Sequence, residues 1–297
     1  MNVRPRIGRA RLHRRPPPAS QRGIALVVAL WVTILLTVIA SSFAFSMRSE
    51  ALAARNAISL AQARAVADGA VERMAFELQR PRNGPEAWSA DGRLREWPDG
   101  TAAVRVVAVD ESARIDLNSA SQPLLMGLLQ NVGGIDADAA QAVVDAILDW
   151  RDQDDLRRPH GAEAPDYLAA GRKYRPNNGS FESVGELRLV LGVTPALYER
   201  ISGALTVYSQ QAGINPATAS RDVLLALPSA TAEAVDAFIA QRQEARAGNL
   251  PVPAFPPAQA FASAAGATWR IHAEATLDDG VTFVRDAVIR PSTDPKR

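Results

Sequence analysis

The chain has 297 residues, 47% of them hydrophobic and 22% charged, which is typical of a globular protein with about two domains and a real hydrophobic core. The formal net charge is +1, but the first 22 residues hold seven arginines and no acidic residue, so the remainder is acidic and a general polyanion binder is disfavoured. Cysteine is absent and the three histidines lie far apart in sequence, which excludes disulfides and argues against a histidine-rich zinc site.

The first predicted element is a membrane-spanning helix. Residues 24–47 carry no charged side chain, and about 20 apolar residues suffice to cross a bilayer as a helix. Because arginine-rich flanks stay cytoplasmic, we expect a single-pass anchor with the body, from about residue 48, on the far side. A cleaved secretory signal peptide is the alternative, although the run is long for one and residues 41–44 offer only a weak cleavage site.

The junction at the start of the apolar run has a pattern of its own. A basic leader, then Gly23, then an apolar helix beginning at Ile24 resembles the type IV prepilin signal, which a prepilin peptidase cleaves after the glycine before the new N-terminus is methylated. The resemblance implies cleavage between Gly23 and Ile24 and N-methylation of Ile24. Most such proteins have Glu at the fifth mature position, where this chain has Val28.

The helix is predicted to continue beyond the membrane to about Arg80, where Pro81 ends it. A helix of about 55 residues would be about 80 Å long. Its second half carries an amphipathic stripe that predicts packing on a soluble domain. The stripe recurs at spacings of three and four and consists of Leu60, Ala63, Ala67, Ala70, Met74 and Leu78.

Strands are predicted at both ends of the soluble body. Residues 81–103 are rich in Pro, Gly and Trp and indicate a loop with at most a short strand, whereas 103–109 and 114–117 favour short strands. Near the C-terminus, residues 269–277 alternate between apolar and polar side chains, and an Asp-Asp-Gly turn leads into a partner strand at 281–289.

The intervening residues, from about 119 to 247, have a helical pattern with caps and short turns. The sequence therefore predicts an α+β fold, in which a long N-terminal helix packs on a small antiparallel sheet and a large all-helical domain is inserted between the strands. The predicted segments are a leader (1–23), a transmembrane segment (24–47), the first part of the sheet domain (48–117), the helical insertion (118–249), a linker (250–266), a C-terminal hairpin (267–290) and a tail (291–297).

An internal repeat lies within the helical insertion. Residues 119–125 match 218–224, and each copy is followed by a turn and a second helix. The pairs resemble helix-hairpin-helix units, some of which bind DNA phosphates through backbone N–H groups. The second copy lacks the turn glycines and the helix after Gly134 is acidic, so we predict a structural role and no nucleic-acid partner. The alternative function is a membrane-tethered DNA receptor of the competence type.

Residues 149–167 form an acidic loop that gathers hard oxygen ligands. Calcium takes six to eight oxygens and tolerates irregular loops, although the EF-hand spacing is absent here. The alternatives are a solvated acidic loop balanced by its arginines and an acid pair for hydrolysis. No nucleotide-binding or hydrolase motif occurs in the sequence, so we predict no catalytic residue and no enzyme. The ligand candidates are Asp152, Asp154, Asp155, Glu163 and Asp166.

Four features stand in one order along the chain, and together they closely resemble the K-type minor pseudopilin of the type II secretion system, the GspK family. They are the Gly23 leader with its apolar helix, residues 114–118 (RIDLN), the acidic loop with residues 161–163 (GAE), and residues 183–190 (SVGELRLV). The resemblance implies a pilin-like fold with an inserted α-domain, located in the bacterial inner membrane with its body in the periplasm.

The same resemblance implies a place at the tip of a short pseudopilus, where the protein primes assembly and supports export across the outer membrane. The implied partners are the I- and J-type minor pseudopilins, other pseudopilus subunits and the prepilin peptidase. It also implies one or two calcium ions bound by the acidic loop, through the five candidate ligands named above. Val28 fits a tip subunit, because the usual Glu pairs with the N-terminal amine of a subunit above, and a tip subunit has none above it.

Overall fold

The computed structural model of the protein describes residues 22–80, 87–248 and 250–291. The described chain forms two compact units that divide after Ile58. Most of the predicted leader, the helix-ending Pro81 and most of the predicted tail lie outside the described residues.

The long helix α1 spans Arg22–Gln79, a run of 58 residues, which confirms the predicted helix to about residue 80. Among the described helices, α1 alone is long and apolar enough to cross a membrane. The apolar side chains of its first half are exposed, Ile24 by 69% and Trp31 by 68%. Exposed apolar side chains along a helix of this length fit a surface that contacts lipid or other helices.

The described residues form six strands in two sheets. The strands are β1 (Asp91–Asp99), β2 (Ala102–Asp110), β3 (Ile115–Asp116), β4 (Leu205–Thr206), β5 (Trp269–Leu277) and β6 (Thr282–Ile289). β1, β2, β5 and β6 lie side by side in that order, and every neighbouring pair is antiparallel. β3 and β4 form a separate parallel pair.

The second half of α1 packs on the four-stranded sheet. Ala70 and Met74 of the predicted stripe are buried against Val106 of β2 and Ala273 of β5, in one apolar cluster. Alternate residues of β2 are buried, because successive side chains of a strand point to opposite faces. The long helix on a small antiparallel sheet was predicted, and the structure confirms it.

The prediction that residues 81–103 form mainly loop was wrong for β1, which is nine residues long and pairs with β2. β1 lies at the edge of the sheet and most of its side chains are exposed. It therefore lacks the apolar alternation that marks a half-buried strand. Pro98 is tolerated because an edge strand has one side without a hydrogen-bonded neighbour.

Two predicted boundaries of the inserted domain also shift. Residues 114–117 were predicted as a short strand in the first part of the sheet domain. In the structure, Ile115 pairs with Leu205 in the β3–β4 pair, and Ile115 and Leu117 are buried in the helical core. The predicted linker belongs to the same core, since Phe255 stacks on Phe238 with ring centroids 4.6 Å apart. The domain is therefore larger at both ends than the helical pattern indicates.

Six helices build the inserted domain: α2 (Gln122–Gly127), α3 (Ala137–Arg151), α4 (Ala164–Ala169), α5 (Pro195–Ile201), α6 (Arg221–Leu225) and α7 (Ala232–Ala247), all within the described residues. α2 with α3 and α6 with α7 form the two predicted hairpins. Gly134 and Ser229 each have a positive φ just before the second helix. Gly192 has the same conformation between a 3₁₀ helix at Val184–Leu189 and α5, so a third pair of helices with a similar turn is present that the sequence repeat does not include.

One arginine stabilises each of the two repeats in the same way; Arg242 is buried and Arg151 is half-buried. Arg151 of α3 donates hydrogen bonds to the carbonyls of Leu117 and Ala120. Arg242 of α7 donates to the carbonyls of Pro216 and Ala219, at 2.8 Å each. Each pair of carbonyls precedes the first helix of its repeat and has the same spacing of three residues. Charged donors to otherwise orphaned backbone acceptors are among the stronger hydrogen bonds of a fold.

The helical domain and the sheet meet around the buried carboxylate of Glu111. Its Oε1 accepts a hydrogen bond from Nε of Arg270 on β5 at 2.7 Å, and its Oε2 accepts from the hydroxyl of Thr206 on β4. The backbone N–H of Glu111 donates to the carbonyl of Thr268 at 2.9 Å. Glu111 is fully buried. Its hydrogen bonds connect the segment that follows β2 both to the start of β5 and to the helical domain.

We predict that Glu111→Ala destabilises the folded chain by about 2–4 kcal/mol, because the Arg270 guanidinium, itself 31% exposed, and the Thr206 hydroxyl lose their partner. The measurement is chemical denaturation of the full chain in detergent micelles. The control is Glu96→Ala, which removes an exposed ion pair with Arg105 and should change stability by less than about 1 kcal/mol. Equal effects of the two variants would contradict the role given to Glu111.

Candidate metal centre

The acidic loop begins at the C-terminal end of α3. Asp136 caps the N-terminus of this helix by accepting a hydrogen bond from the N–H of Ala139, and Asp152 is the residue at its C-terminal cap. From there the chain runs through residues 153–162 and enters α4 at Glu163. The loop therefore leaves one rigid helix and returns at the N-terminus of another, which fixes both of its ends.

Asp149 holds the loop against the last turn of α3. Its side chain is fully buried, lies 3.3 Å from Nε of Arg158 and faces the backbone N–H of Arg158 at 3.3–3.4 Å. A Cβ atom on Gly161 would lie 1.9 Å from Oδ2 of Asp149. Glycine is therefore required at this position by the close approach of a carboxylate. Asp149 was not among the ligand candidates predicted from the sequence, although it lies only three residues before Asp152, at the end of the same helix.

Glu163 is buried without a compensating contact in the described part of the chain. Its side chain is 4% exposed, and neither carboxylate oxygen has a hydrogen-bond partner among the described residues. Burial, followed by repulsion from nearby carboxylates, raises the pKa of Glu163 to about 7; the repelling groups are Asp149, Asp152, Asp155 and Asp154. Burial is also the largest cause that raises the pKa of Asp149 and of Asp152.

Four of the five predicted ligands thus act on one another electrostatically, with Asp149 as a fifth member of the acidic cluster. Oδ2 of Asp152 accepts a hydrogen bond from Arg158 at 3.2 Å, while its Oδ1 is buried and has no hydrogen-bond partner among the described residues. Asp154 accepts from the N–H of Leu156, and Asp155 from the side-chain amide of Asn178.

Asp166 differs from the other candidates, because both of its oxygens are engaged. Oδ2 accepts from the backbone N–H of Glu163 and Oδ1 from Arg157, each at 2.9 Å. The first of these bonds is the largest cause that lowers the pKa of Asp166. Asp166 nevertheless lines the same cavity of about 470 Å³ as Asp155 and Glu163.

The chemistry of this donor set fits a hard divalent cation. A buried carboxylate is expensive unless it is paired, hydrogen-bonded or bound to a metal, and Glu163 has none of these within the described chain. A calcium ion takes carboxylate oxygens from flexible loops. In the described part of the chain, no three Asp, Glu, His or Cys side chains are already arranged as a metal site, so binding would require the carboxylates to move closer together.

The predicted processing residues lie in the first turn of α1. Gly23 and Ile24 are consecutive residues of the helix, and Ile24 and Val28 are exposed by 69% and 55%. Val28 lies one helical turn after Ile24, and its side chain is likewise exposed.

The hairpin turns offer little to a nucleic-acid phosphate. The helix N-terminus after the first turn is already capped by the carboxylate of Asp136, and the one after the second by the hydroxyl of Thr231. The carbonyl of Gly133 in the first turn accepts from Arg200 at 2.9 Å. Side chains of the protein therefore already accept hydrogen bonds from backbone N–H groups that could otherwise bind a phosphate.

Comparison with known proteins gives a consistent result. The family model described as "Type II secretion system (T2SS), protein K" matches residues 104–210. A type II secretion system protein K from Klebsiella pneumoniae is 31% identical over 284 residues, which is 86% of each chain. Another from Pseudomonas aeruginosa is 29% identical over 230 residues, 70% of this chain and 68% of that one.

The fold is also similar to that of a chain in the crystal structure of the GspK-GspI-GspJ complex from enterotoxigenic Escherichia coli. The TM-score is 0.58 at 20% sequence identity, over 80% of this chain and 94% of that chain. At this identity the likeness concerns the fold.

The raised pKa of Glu163 predicts a specific pH dependence. Below pH 4.5 the group is protonated in both the folded and the unfolded chain, whereas between 4.5 and about 7 it is ionised only when unfolded. The free energy of unfolding therefore falls as the pH rises from 4.5 through about 7, because the folded chain holds a proton on Glu163 that the unfolded chain has lost. In the presence of a chelator, Glu163→Gln should stabilise the chain by about 1–3 kcal/mol at pH 8 and by much less at pH 5.

Denaturation of both proteins at the two pH values measures this difference. The control is Glu233→Gln, which removes an exposed carboxylate on α7 and should leave stability nearly unchanged at both pH values. A Glu163→Gln variant with the same relative stability at pH 5 and pH 8 would show that Glu163 is not a strained buried acid.

Proposed function

Since the chain belongs to the type II secretion system protein K family, we propose that it acts as a minor pseudopilin at the tip of the periplasmic pseudopilus. In this role it primes assembly and supports export of proteins across the outer membrane. The observation that carries the proposal is the fold, in which a long helix with an exposed apolar half joins a pilin-like sheet with a large helical insertion. A secretion-system component of this kind is consistent with the absence of enzymatic activity.

The first half of α1 supports an anchoring and assembly role. One N-terminal apolar helix fits a single-pass anchor in the inner membrane, and the arginines that precede it favour a cytoplasmic N-terminus with a periplasmic body. The Gly23–Ile24 junction is the proposed site of prepilin peptidase cleavage and N-methylation. Val28 supports a terminal place in the filament, because a carboxylate there would lie unpaired in the bilayer.

The proposed partners are the I- and J-type minor pseudopilins. The likeness to a chain of a GspK-GspI-GspJ complex supports them. The DNA-receptor alternative has no support in the relatives or in the capped helix N-termini of the hairpins.

Co-purification tests the tip role. The full chain, co-expressed with the I- and J-type pseudopilins of the same secretion system and solubilised in detergent, should elute with both as one complex. The matched control exchanges the I-type subunit for a major pseudopilin, which should not replace it. Failure to form a complex, with calcium and with a chelator alike, would contradict the tip role.

We further propose that the acidic loop binds calcium, with Glu163, Asp152, Asp154 and Asp155 as carboxylate ligands. The unpartnered oxygens of Glu163 and of Asp152 support this assignment. Bound calcium would supply the positive charge that these mutually repelling groups lack, and so would fix the loop on α3. Asp166 was predicted as a ligand from the sequence, but its two hydrogen bonds favour a role in shaping the loop.

A matched pair of variants separates these roles. Asp152→Asn should weaken calcium binding at least about tenfold, because it removes a charge from an oxygen that has no other partner. Asp166→Asn should weaken it less than about threefold. Calorimetric titration of the full chain with Ca²⁺ measures both affinities, and Mg²⁺ serves as the control ion. Equal losses in the two variants would restore Asp166 as a ligand, and no binding by the native chain would overturn the calcium proposal.

A further inference from the structure

A second cavity of the helical domain lies beside the metal centre but is built from different groups. It is an open cleft of about 640 Å³. Arg175 borders both this cleft and the cavity of the acidic loop. The cleft is also lined by Trp150, Tyr174, Glu182, Glu186 and Leu189. None of these residues has a part in the functions proposed above.

The floor of the cleft is an aromatic cluster with one unsatisfied polar atom. Trp150 stacks on Phe181 with ring centroids 6.0 Å apart, and packs against Tyr167 at 5.9 Å. Tyr167 in turn packs against Tyr174 at 5.8 Å. Trp150 is only 3% exposed, and its indole Nε1–H has no hydrogen-bond acceptor within the described chain. A buried donor without a partner is rare in folded proteins, which indicates an acceptor that comes from outside the chain.

The walls of the cleft carry charges that no neighbour neutralises. The side chains of Arg175 and Glu182 have no hydrogen bond or ion pair to any described residue. Glu186 uses one oxygen, Oε1, to accept from the N–H groups of Glu182 and Ser183, and its Oε2 is free of such bonds. Leu189 adds an apolar surface that is 40% exposed. Acidic groups therefore outnumber basic ones by two to one among these residues.

We propose that this cleft binds an extended polypeptide segment that carries an arginine or lysine side chain. The cation lies between Glu182 and Glu186 near the ring of Tyr174, where carboxylates and an aromatic face both favour a positive charge. Binding displaces the side chains that cover Nε1 of Trp150, and a backbone carbonyl of the segment then accepts a hydrogen bond from this atom. A sugar is a poorer fit, because it carries no positive charge for Glu182 and Glu186.

Tripeptides probe the site directly. The native full chain in detergent micelles, labelled with ¹⁵N in its five tryptophans, is titrated with acetyl-Gly-Arg-Gly-amide, acetyl-Gly-Glu-Gly-amide and maltotriose. Loss of one indole signal in Trp150→Phe assigns the resonance. The arginine peptide should shift the Trp150 indole signal with a dissociation constant of about 1–10 mM, at least about fivefold tighter than the glutamate peptide or the sugar.

Matched variants confine the effect to the cleft. Glu182→Gln should weaken binding of the arginine peptide about threefold, and Glu233→Gln, an exposed carboxylate on α7 outside the cleft, should leave it unchanged. Equal shifts with all three probes, preference for the acidic peptide or the sugar, or no shift of the Trp150 signal would each overturn the proposal. None of these outcomes bears on the tip role, which rests on co-purification.

Discussion

The negative charge of a buried carboxylate has to be compensated by hydrogen bonds or ion pairs from its neighbours. The partners of Glu111 join the four-stranded sheet to the inserted helical domain. The inserted domain leaves the sheet after β2 and returns at β5, so only two crossings of the backbone connect them. Glu111 stands at the first crossing, bonds to the backbone of Thr268 at the second, and bonds through its side chain to β4 and β5. One residue thereby restrains a connection that two peptide links alone would leave flexible.

In the helical domain, arginine side chains satisfy backbone carbonyls that lie outside the helices. Arg151 and Arg242 satisfy equivalent pairs of carbonyls at the starts of the two repeats, and Arg200 satisfies the carbonyl of Gly133 at a hairpin turn. The contacts of Arg151 hold the last turn of α3 in place. Asp152 is the next residue, so the restraint that Arg151 places on α3 extends directly to the carboxylates beside it.

Much of the fold could be predicted because it rests on periodicity. The stripe through Ala70 and Met74 identified the long helix, alternation identified β5, and the turn after β5 identified β6 as its partner. β1 was missed because an edge strand has no buried face to impose alternation. β3 was assigned to the wrong sheet, because two residues carry no signal of their partner strand. In the loop, composition identified the carboxylates, but the separation of Asp166 from the others depends on hydrogen bonds that composition does not encode.

The acidic loop shows why such a site needs a stable scaffold. Bringing Glu163 close to four other carboxylates is unfavourable, and burial together with this repulsion raises the pKa of Glu163 to about 7. A flexible loop would relieve this repulsion by opening. The loop cannot open freely, because Asp149 is fully buried against Arg158 and Gly161, and Asp166 holds the start of α4. The contacts of Asp149 and Asp166 therefore hold the carboxylates within one restrained loop. A cation that binds there has to draw these carboxylates closer together, but it does not have to order the whole loop.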